Sequence, residues 1–351
     1  MGLRLLFVSA LLSVSACAPP ASTSSDPILY VYRLDPPSFL QLDGARQPVR
    51  EIPFAAPDGC DVRGVHAAPR GPRLAIELGC AFGPAVLWLD VQTATVRQPI
   101  TGSDSHFLAW AADGQSVYLR IDSINRPRLV RVGLDGGIDP LPISELTYDL
   151  APSPSGDVFL FAYSNGMGLG SELWRMQSNG SAARQVLADP DNYLALTRWS
   201  PDGGRLAFIR IPDSATPFTQ GELWVMKADG TQARWLAAAD AGHGFAPAWS
   251  PDGTRIAFVT RENAGEPAAD ASSDALVSDV RVVDLDGDDA GLLTELSGAR
   301  VEAPVWVPDA DVVLFSARLD DRMAVYVADL IAGSLQPIPI ESICCAAWLR
   351  E

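Results

Sequence analysis

The chain has 351 residues, 43 acidic against 26 basic side chains, a net charge of −17 and 48% hydrophobic residues. That acidic balance argues against DNA or RNA as a partner, because phosphate binding needs a basic surface. The hydrophobic share argues against a disordered chain, and no apolar run outside the N-terminus approaches the roughly 20 residues of a membrane helix.

In chain order, Met1 to Arg4 is a short basic start, and Leu5 to Val14 is an apolar run of ten residues. Ten residues cannot span a bilayer, but they have the length of a signal-peptide core. Val14-Ser-Ala-Cys17 follows and resembles the lipobox of bacterial lipoproteins. The resemblance implies cleavage before Cys17 and lipidation of its thiol, so that residues 1–16 are a signal peptide. It also implies the outer membrane, since Ala18 and not Asp follows the cysteine. An ordinary signal peptide cut after Ala16 is the alternative. The polar, structureless stretch Ala18-Pro-Pro-Ala-Ser-Thr-Ser-Ser-Asp26 favours a tether, so residues 17–27 read as lipidated cysteine plus linker.

From Ile28 onward the chain repeats itself. Arg198-Trp-Ser-Pro-Asp-Gly-Gly-Arg-Leu-Ala-Phe-Ile209 and Ala248-Trp-Ser-Pro-Asp-Gly-Thr-Arg-Ile-Ala-Phe-Val259 are near copies. Weaker copies place equivalents of the tryptophan at Ala67, Trp110, Pro152, Trp306 and Trp348, at intervals of 42 to 57 residues. A period of this length points to propeller blades. Pro presets φ at the first turn position and Gly supplies positive φ, so each copy reads as a hairpin leading into a buried strand. A second series recurs about twenty residues later, clearest at Glu222-Leu-Trp-Val-Met-Lys-Ala-Asp-Gly230. Each blade therefore has four antiparallel strands, A to D from the inside outward.

Ile28 to Asp35 reads as the seventh member of the second series, with Pro48 to Ile52 as its outer partner and Trp348 on the matching inner strand. This predicts an all-β propeller over residues 28–351, of seven blades with six as the alternative. Early and late strands share its last blade, which lacks a B strand. The Trp-Ser-Pro-Asp-Gly-x-Arg-Ile/Leu-Ala-Phe motif is similar to the TolB-type, WD40-like β-propeller repeat. That family carries an additional α/β domain before its propeller, and the repeat here begins about ten residues past Cys17. A role in the Tol–Pal system is therefore not carried over. The repeat tryptophans, Trp88, Trp174 and Trp224 included, read as space-fillers between blades, and Asp202 and Asp252 as turn formers.

A–B and C–D connections are tight, whereas B–C and D–A stretches such as 211–221, 261–278 and 238–245 are longer. Variable loops on a rigid scaffold tend to carry function. The working face is therefore expected on the B–C and D–A side. Its candidates are His106, Asn192, Arg210, Asp240, His243, Phe245, Arg261 and Glu302, with Glu262 beside them. The stretch Glu266 to Ser278 is expected to be mobile. Cys60 and Cys80 flank the first A–B hairpin and could face each other as a disulfide, with free thiols as the alternative. Cys344 and Cys345 read as core residues, ahead of a vicinal pair or a redox site.

Gly-x-Ser-x-Gly does not occur, and His66, His106 and His243 show no close metal-ligand spacing. Asp284, Asp286, Asp288 and Glu295 stand at calcium-loop offsets, but Asp289 occupies the position that needs Gly. A plain acidic hairpin is the better reading, and no metal or cofactor is expected. The function that emerges is a membrane-anchored scaffold, monomeric, binding an envelope protein or an extended peptide. The alternative is a lyase or hydrolase of envelope polymers with its site at the channel mouth.

Overall fold

The computed structural model describes residues 27–351 apart from 102–103, 123–127, 165, 167, 242–244, 288, 293–295, 321 and 350–351. Their strands form seven four-stranded antiparallel sheets arranged in a ring. The fourth blade shows the plan: Asn192–Trp199, Arg205–Pro212, Gln220–Lys227 and Arg234–Asp240 from the inside outward. The inner strand of each successive blade lies against that of its neighbour or against the next strand out.

The hairpin between the two inner strands follows from the sequence Ser200-Pro-Asp-Gly203. Gly203 takes φ +70° and donates to the Ser200 carbonyl at 2.8 Å. The Ser200 hydroxyl donates to Asp202 at 2.5 Å and accepts from the Arg205 amide at 2.9 Å. The same set recurs at Ser250, Asp252, Gly253 and Arg255. These hydrogen bonds hold Asp202 and Asp252 below the usual carboxylate range, the serine hydroxyl first and the Gly204 or Thr254 amide next. Both aspartates shape turns.

Hydrophobic side chains meet between blades. Ala207, Ile209, Leu223 and Val225 of the fourth blade pack with Trp249, Ile256 and Phe258 of the fifth. Four inner-strand tryptophans add a directional tie. Trp110 donates its indole N–H to the His66 carbonyl at 2.9 Å, and Trp199 to Ala151 at 2.9 Å. Trp249 donates to Arg198 at 3.1 Å and Trp306 to Ala248 at 2.9 Å. Each acceptor stands one residue before the tryptophan-equivalent position of the preceding blade, so the repeat fixes how successive blades stack.

The seventh blade corrects the sequence reading. Its order is Ile343–Leu349, Ile28–Leu34, Pro37–Leu42 and Pro48–Pro53. Ile28–Leu34 pairs directly with the inner strand, Leu29 opposite Trp348, so it is the B strand and the blade is complete. The strand missed was Pro37–Leu42. It follows Leu34 after only two residues, carries no turn signature of the repeat to mark it, and buries Phe39, Leu40 and Leu42.

Two further expectations change. The stretch expected to be mobile contains a short helix, Pro267–Ala271, and a 3-10 turn, Ser273–Ala275, with Ala269 and Leu276 buried. Cys344 and Cys345 are not separate core residues but are bonded to each other. The register shift between Tyr30 and Tyr32 and the positive φ of Cys345 (+59°) place an extra residue in the inner strand. Neighbours that would otherwise point to opposite sides of a strand can then share one side.

Candidate functional site

The inner and second strands carry paired polar side chains in several blades. In the first, His66 Nε2 lies 2.6 Å from Glu77 Oε2. Glu77 sits opposite Gly64 in the ladder, two residues from the partner of His66. Gly64 is what permits the pairing: a Cβ there would fall 2.9 Å from the Glu77 carboxylate and 3.0 Å from the His66 ring. Phe107 of the second blade stacks on His66 at 4.3 Å and 15°. The sequence reading named His66 without its partner, because a diagonal contact across a glycine leaves no motif.

His106, at the opposite end of its strand, reaches Asp122 at 3.2 Å, and Arg120 donates to the other oxygen of that carboxylate at 2.9 Å. The two histidines thus sit in separate carboxylate pairs. His243 lies outside the described residues, as do Cys17, Asp288 and Glu295.

Between the third and fourth blades, Arg210 donates to Asp189 at 2.5 Å and to Glu222 at 3.3 Å, its guanidinium 5.4 Å from the centre of the Trp224 ring. Asn192 donates to Asp189 at 2.9 Å. Burial pushes Asp189 up, but hydrogen bonds from Arg210 and Asn192 outweigh it and leave the carboxyl below its ordinary range. Glu222 also accepts the Trp224 indole at 2.9 Å. The third blade repeats this with Trp174 and Glu172 at 2.8 Å, where Tyr163 takes the place of Arg210.

Arg261 and Asp240 are not exposed at the channel mouth. The Arg261 side chain is fully buried, its Nε 3.7 Å from an Asp240 carboxylate that is 1% exposed. It donates to the carbonyls of Phe218 at 2.7 Å and Ala269 at 3.2 Å, and to Asp270 at 3.3 Å. One arginine therefore pins two rim loops, 213–219 and 262–277. Phe245 packs with the core between the fifth and sixth blades. Glu302 pairs with Arg300 at 3.3 Å, and Arg300 reaches Asp274 at 3.7 Å.

The expected asymmetry of loops holds for the B–C links of the third, fourth and fifth blades. It fails in the first, sixth and seventh, whose B–C links are the two-residue stretches 81–82, 320–321 and 35–36, and at the D–A link 190–191 between the third and fourth blades. Cavities also open on the tight-hairpin face. One of about 710 Å³ lies between the fifth and sixth blades and is lined by Asp252, Arg255, Asp311 and Ile331. An apolar groove of about 490 Å³ lies between the sixth and seventh. Cys60 and Cys80 are opposed at the end of the first hairpin, Cα atoms 4.0 Å apart, and are joined as a disulfide. Among the described residues, no group of three or more His, Cys, Asp or Glu is placed to hold a metal, and no helix is long and apolar enough to cross a membrane.

The fold is a seven-bladed β-propeller, and solved TolB proteins are among the structures it resembles. Its similarity to TolB from Acinetobacter baumannii covers 93% of this chain and 67% of that one, with TM-score 0.53 at 14% identity. An oligogalacturonate lyase from Vibrio parahaemolyticus superimposes with TM-score 0.61 at 12% identity, covering 87% and 86%. A puromycin-hydrolysing peptidase of Mycobacterium tuberculosis gives TM-score 0.61 at 15% identity, over 91% of this chain and 52% of its own. No family model and no curated protein matches the chain.

Proposed function

We propose that this protein is a cell-envelope lipoprotein whose propeller acts as a binding scaffold for another envelope protein or an extended peptide. Lipid on Cys17 anchors it, at the outer membrane facing the periplasm, and it works as a monomer without a cofactor. The observation that carries the scaffold reading is the Arg261 clamp. A fully buried guanidinium donates through its two terminal nitrogens to the Phe218 and Ala269 carbonyls and the Asp270 carboxylate, so two rim loops are held in one conformation before any partner arrives. Preordered loops bind with less loss of conformational entropy. The TolB-type likeness fits an envelope location.

Affinity capture from envelope extracts should recover the same partner with the native protein and lose it with Arg261→Met. Nothing reproducible under several detergents would overturn the reading. Cys17→Ser should move the protein to the soluble fraction, because acyl chains contribute about 0.8 kcal/mol per buried CH₂ and the acidic propeller has no attraction for anionic headgroups. Unchanged membrane fractionation would refute the anchor.

The second reading is an enzyme, favoured by the His66–Glu77 pair. A carboxylate orients the imidazole beside an aromatic wall, the arrangement of a general base. The solved lyase and peptidase show that this fold accompanies catalysis in other chains. If the reading holds, degradation of an envelope polymer by the native protein disappears in His66→Ala.

A further inference from the structure

On the fourth blade, Arg205 stands directly opposite Lys227 in the ladder between the second and third strands. Residues opposed in this way project from the same side of a sheet with Cβ atoms about 4.5–5.5 Å apart, and like charges there repel. Other blades fill the same repeat position differently. Arg73 faces Asp90 in the first, its Nε 3.8 Å from the carboxylate, and Arg255 faces Asp284 in the fifth. The fourth blade carries a lysine where these two carry an aspartate.

Arg234 adds a third cation. It lies opposite Val225, on the side of the blade whose Ala207 and Val225 pack against the fifth blade. Arg205, Lys227 and Arg234 therefore converge on one seam, where they line a cavity of about 430 Å³ with Gln232, Leu285 and Asp286. None of the three is in an ion pair among the described residues. The nearby turn carboxylates are engaged locally: Asp202 accepts from the Ser200 hydroxyl and the Gly204 amide, and Asp229 from the amide and hydroxyl of Thr231. Among the described lining residues, Asp286 alone is acidic, so three cations face one carboxylate in a chain of net charge −17. The cavity at the next seam has the opposite character. There Arg255 is paired with Asp311, and Asp252, Asp309 and Asp329 complete an acidic lining.

We propose that the seam between the fourth and fifth blades binds a phosphate monoester. A phosphoryl group offers three terminal oxygens, one for each cation, and carries about −1.5 to −2 at neutral pH, which offsets the excess of positive charge. A carboxylate has fewer oxygens and a single charge, and would leave one cation unanswered. At about 430 Å³ the cavity has the size of a small-molecule pocket and exceeds a bare phosphoryl group, so the ester carries an organic body, placed against Leu285. The site lies at the hairpin end of the seam and does not depend on the scaffold reading of the long-loop rim.

The test is titration calorimetry of the full chain with phenyl phosphate, which should bind at a single site. Lys227→Asp restores the pairing of the first and fifth blades and should weaken binding roughly tenfold or more, the scale of a lost charged hydrogen bond. Its melting temperature without ligand should hold or rise, because the like-charge pair is gone. A fall in that temperature would mark a folding defect, and Arg234→Gln, at an exposed position, then supplies the second measurement with an expected loss of roughly tenfold. Benzoate should bind roughly tenfold more weakly than phenyl phosphate. Phosphatidylcholine vesicles with and without phosphatidic acid separate two sources of such an ester: Lys227-dependent sedimentation with the acidic vesicles assigns it to a lipid headgroup, and none assigns it to a soluble molecule. No binding of phenyl phosphate, equal affinity in both variants, or equal affinity for benzoate would overturn the proposal.

Discussion

Trp199 makes two contributions that a phenylalanine would separate. Its ring packs between the third and fourth blades, and its N–H bonds to the Ala151 carbonyl. Trp199→Phe keeps most of the first and removes the second, so unfolding in urea should show a loss of about 1 kcal/mol. No loss would mean that the tie between blades contributes nothing. Arg261 is the more sensitive residue. Arg261→Met retains its length but removes the buried guanidinium that holds the Phe218 and Ala269 carbonyls and pairs with Asp240 and Asp270. Removing one partner of a buried pair costs about 3–5 kcal/mol, and the 262–277 loop should become accessible to protease at the same time. Retained resistance would contradict the clamp. Proton linkage gives a third residue-level expectation. Asp189, Asp202 and Asp252 all titrate lower in the folded protein than when free. Their stabilisation is fully present above the unfolded value, near about 4, and fades as pH falls through the lower folded values. Melting temperature should therefore decline below about pH 4, and the decline should be shallower in Asp202→Asn. An unchanged slope would show that this carboxylate is not linked to folding.

Hairpins are where the sequence was most readable, and the reason is local. Ser-Pro-Asp-Gly contains every group its turn needs, so Ser200 to Gly203 and Ser250 to Gly253 could be assigned from four letters. Strands without that signature were harder. Nothing local marks Pro37–Leu42 or tells Ile28–Leu34 from a strand one place further out, because strand order depends on which ribbon supplies hydrogen bonds, and here the inner one comes from more than 300 residues away in sequence. The rim followed the same rule. Arg210 and Asn192 do meet at one carboxylate, whereas Arg261 and Asp240 looked equally exposed in sequence and are buried, since their burial is created by a loop folding over them. Glycines test the turns directly. At Gly114, φ is +66° and a Cβ would meet the Arg70 carbonyl of the preceding blade's turn at 2.2 Å. At Gly253, φ is +70° and the nearest atom is Pro201 Cδ at 3.6 Å. Gly253→Ala should cost about 1–2 kcal/mol for its backbone alone, and Gly114→Ala about 1–3 kcal/mol more, because neighbouring turns must separate. Equal losses in chemical denaturation would show that the blades do not touch there.

As a whole molecule, the protein is a rigid ring with two unlike faces. One is made of short acidic hairpins with cavities at the blade seams; the other carries the longer loops of the third to fifth blades, fastened by buried ions. The joining of Ile28–Leu34 to Ile343–Leu349 covers strand edges that would otherwise invite aggregation. Such a ring can display loops from a fixed frame, which is what the proposed scaffold reading requires of the rim. The account is tested most directly by photocrosslinking in intact cells, with p-benzoylphenylalanine replacing Thr216 on the long-loop rim and, separately, Asp229 on the hairpin face. It predicts a discrete, reproducible protein adduct from position 216 and none from position 229. Adducts of equal strength from both positions, or from neither, would contradict it.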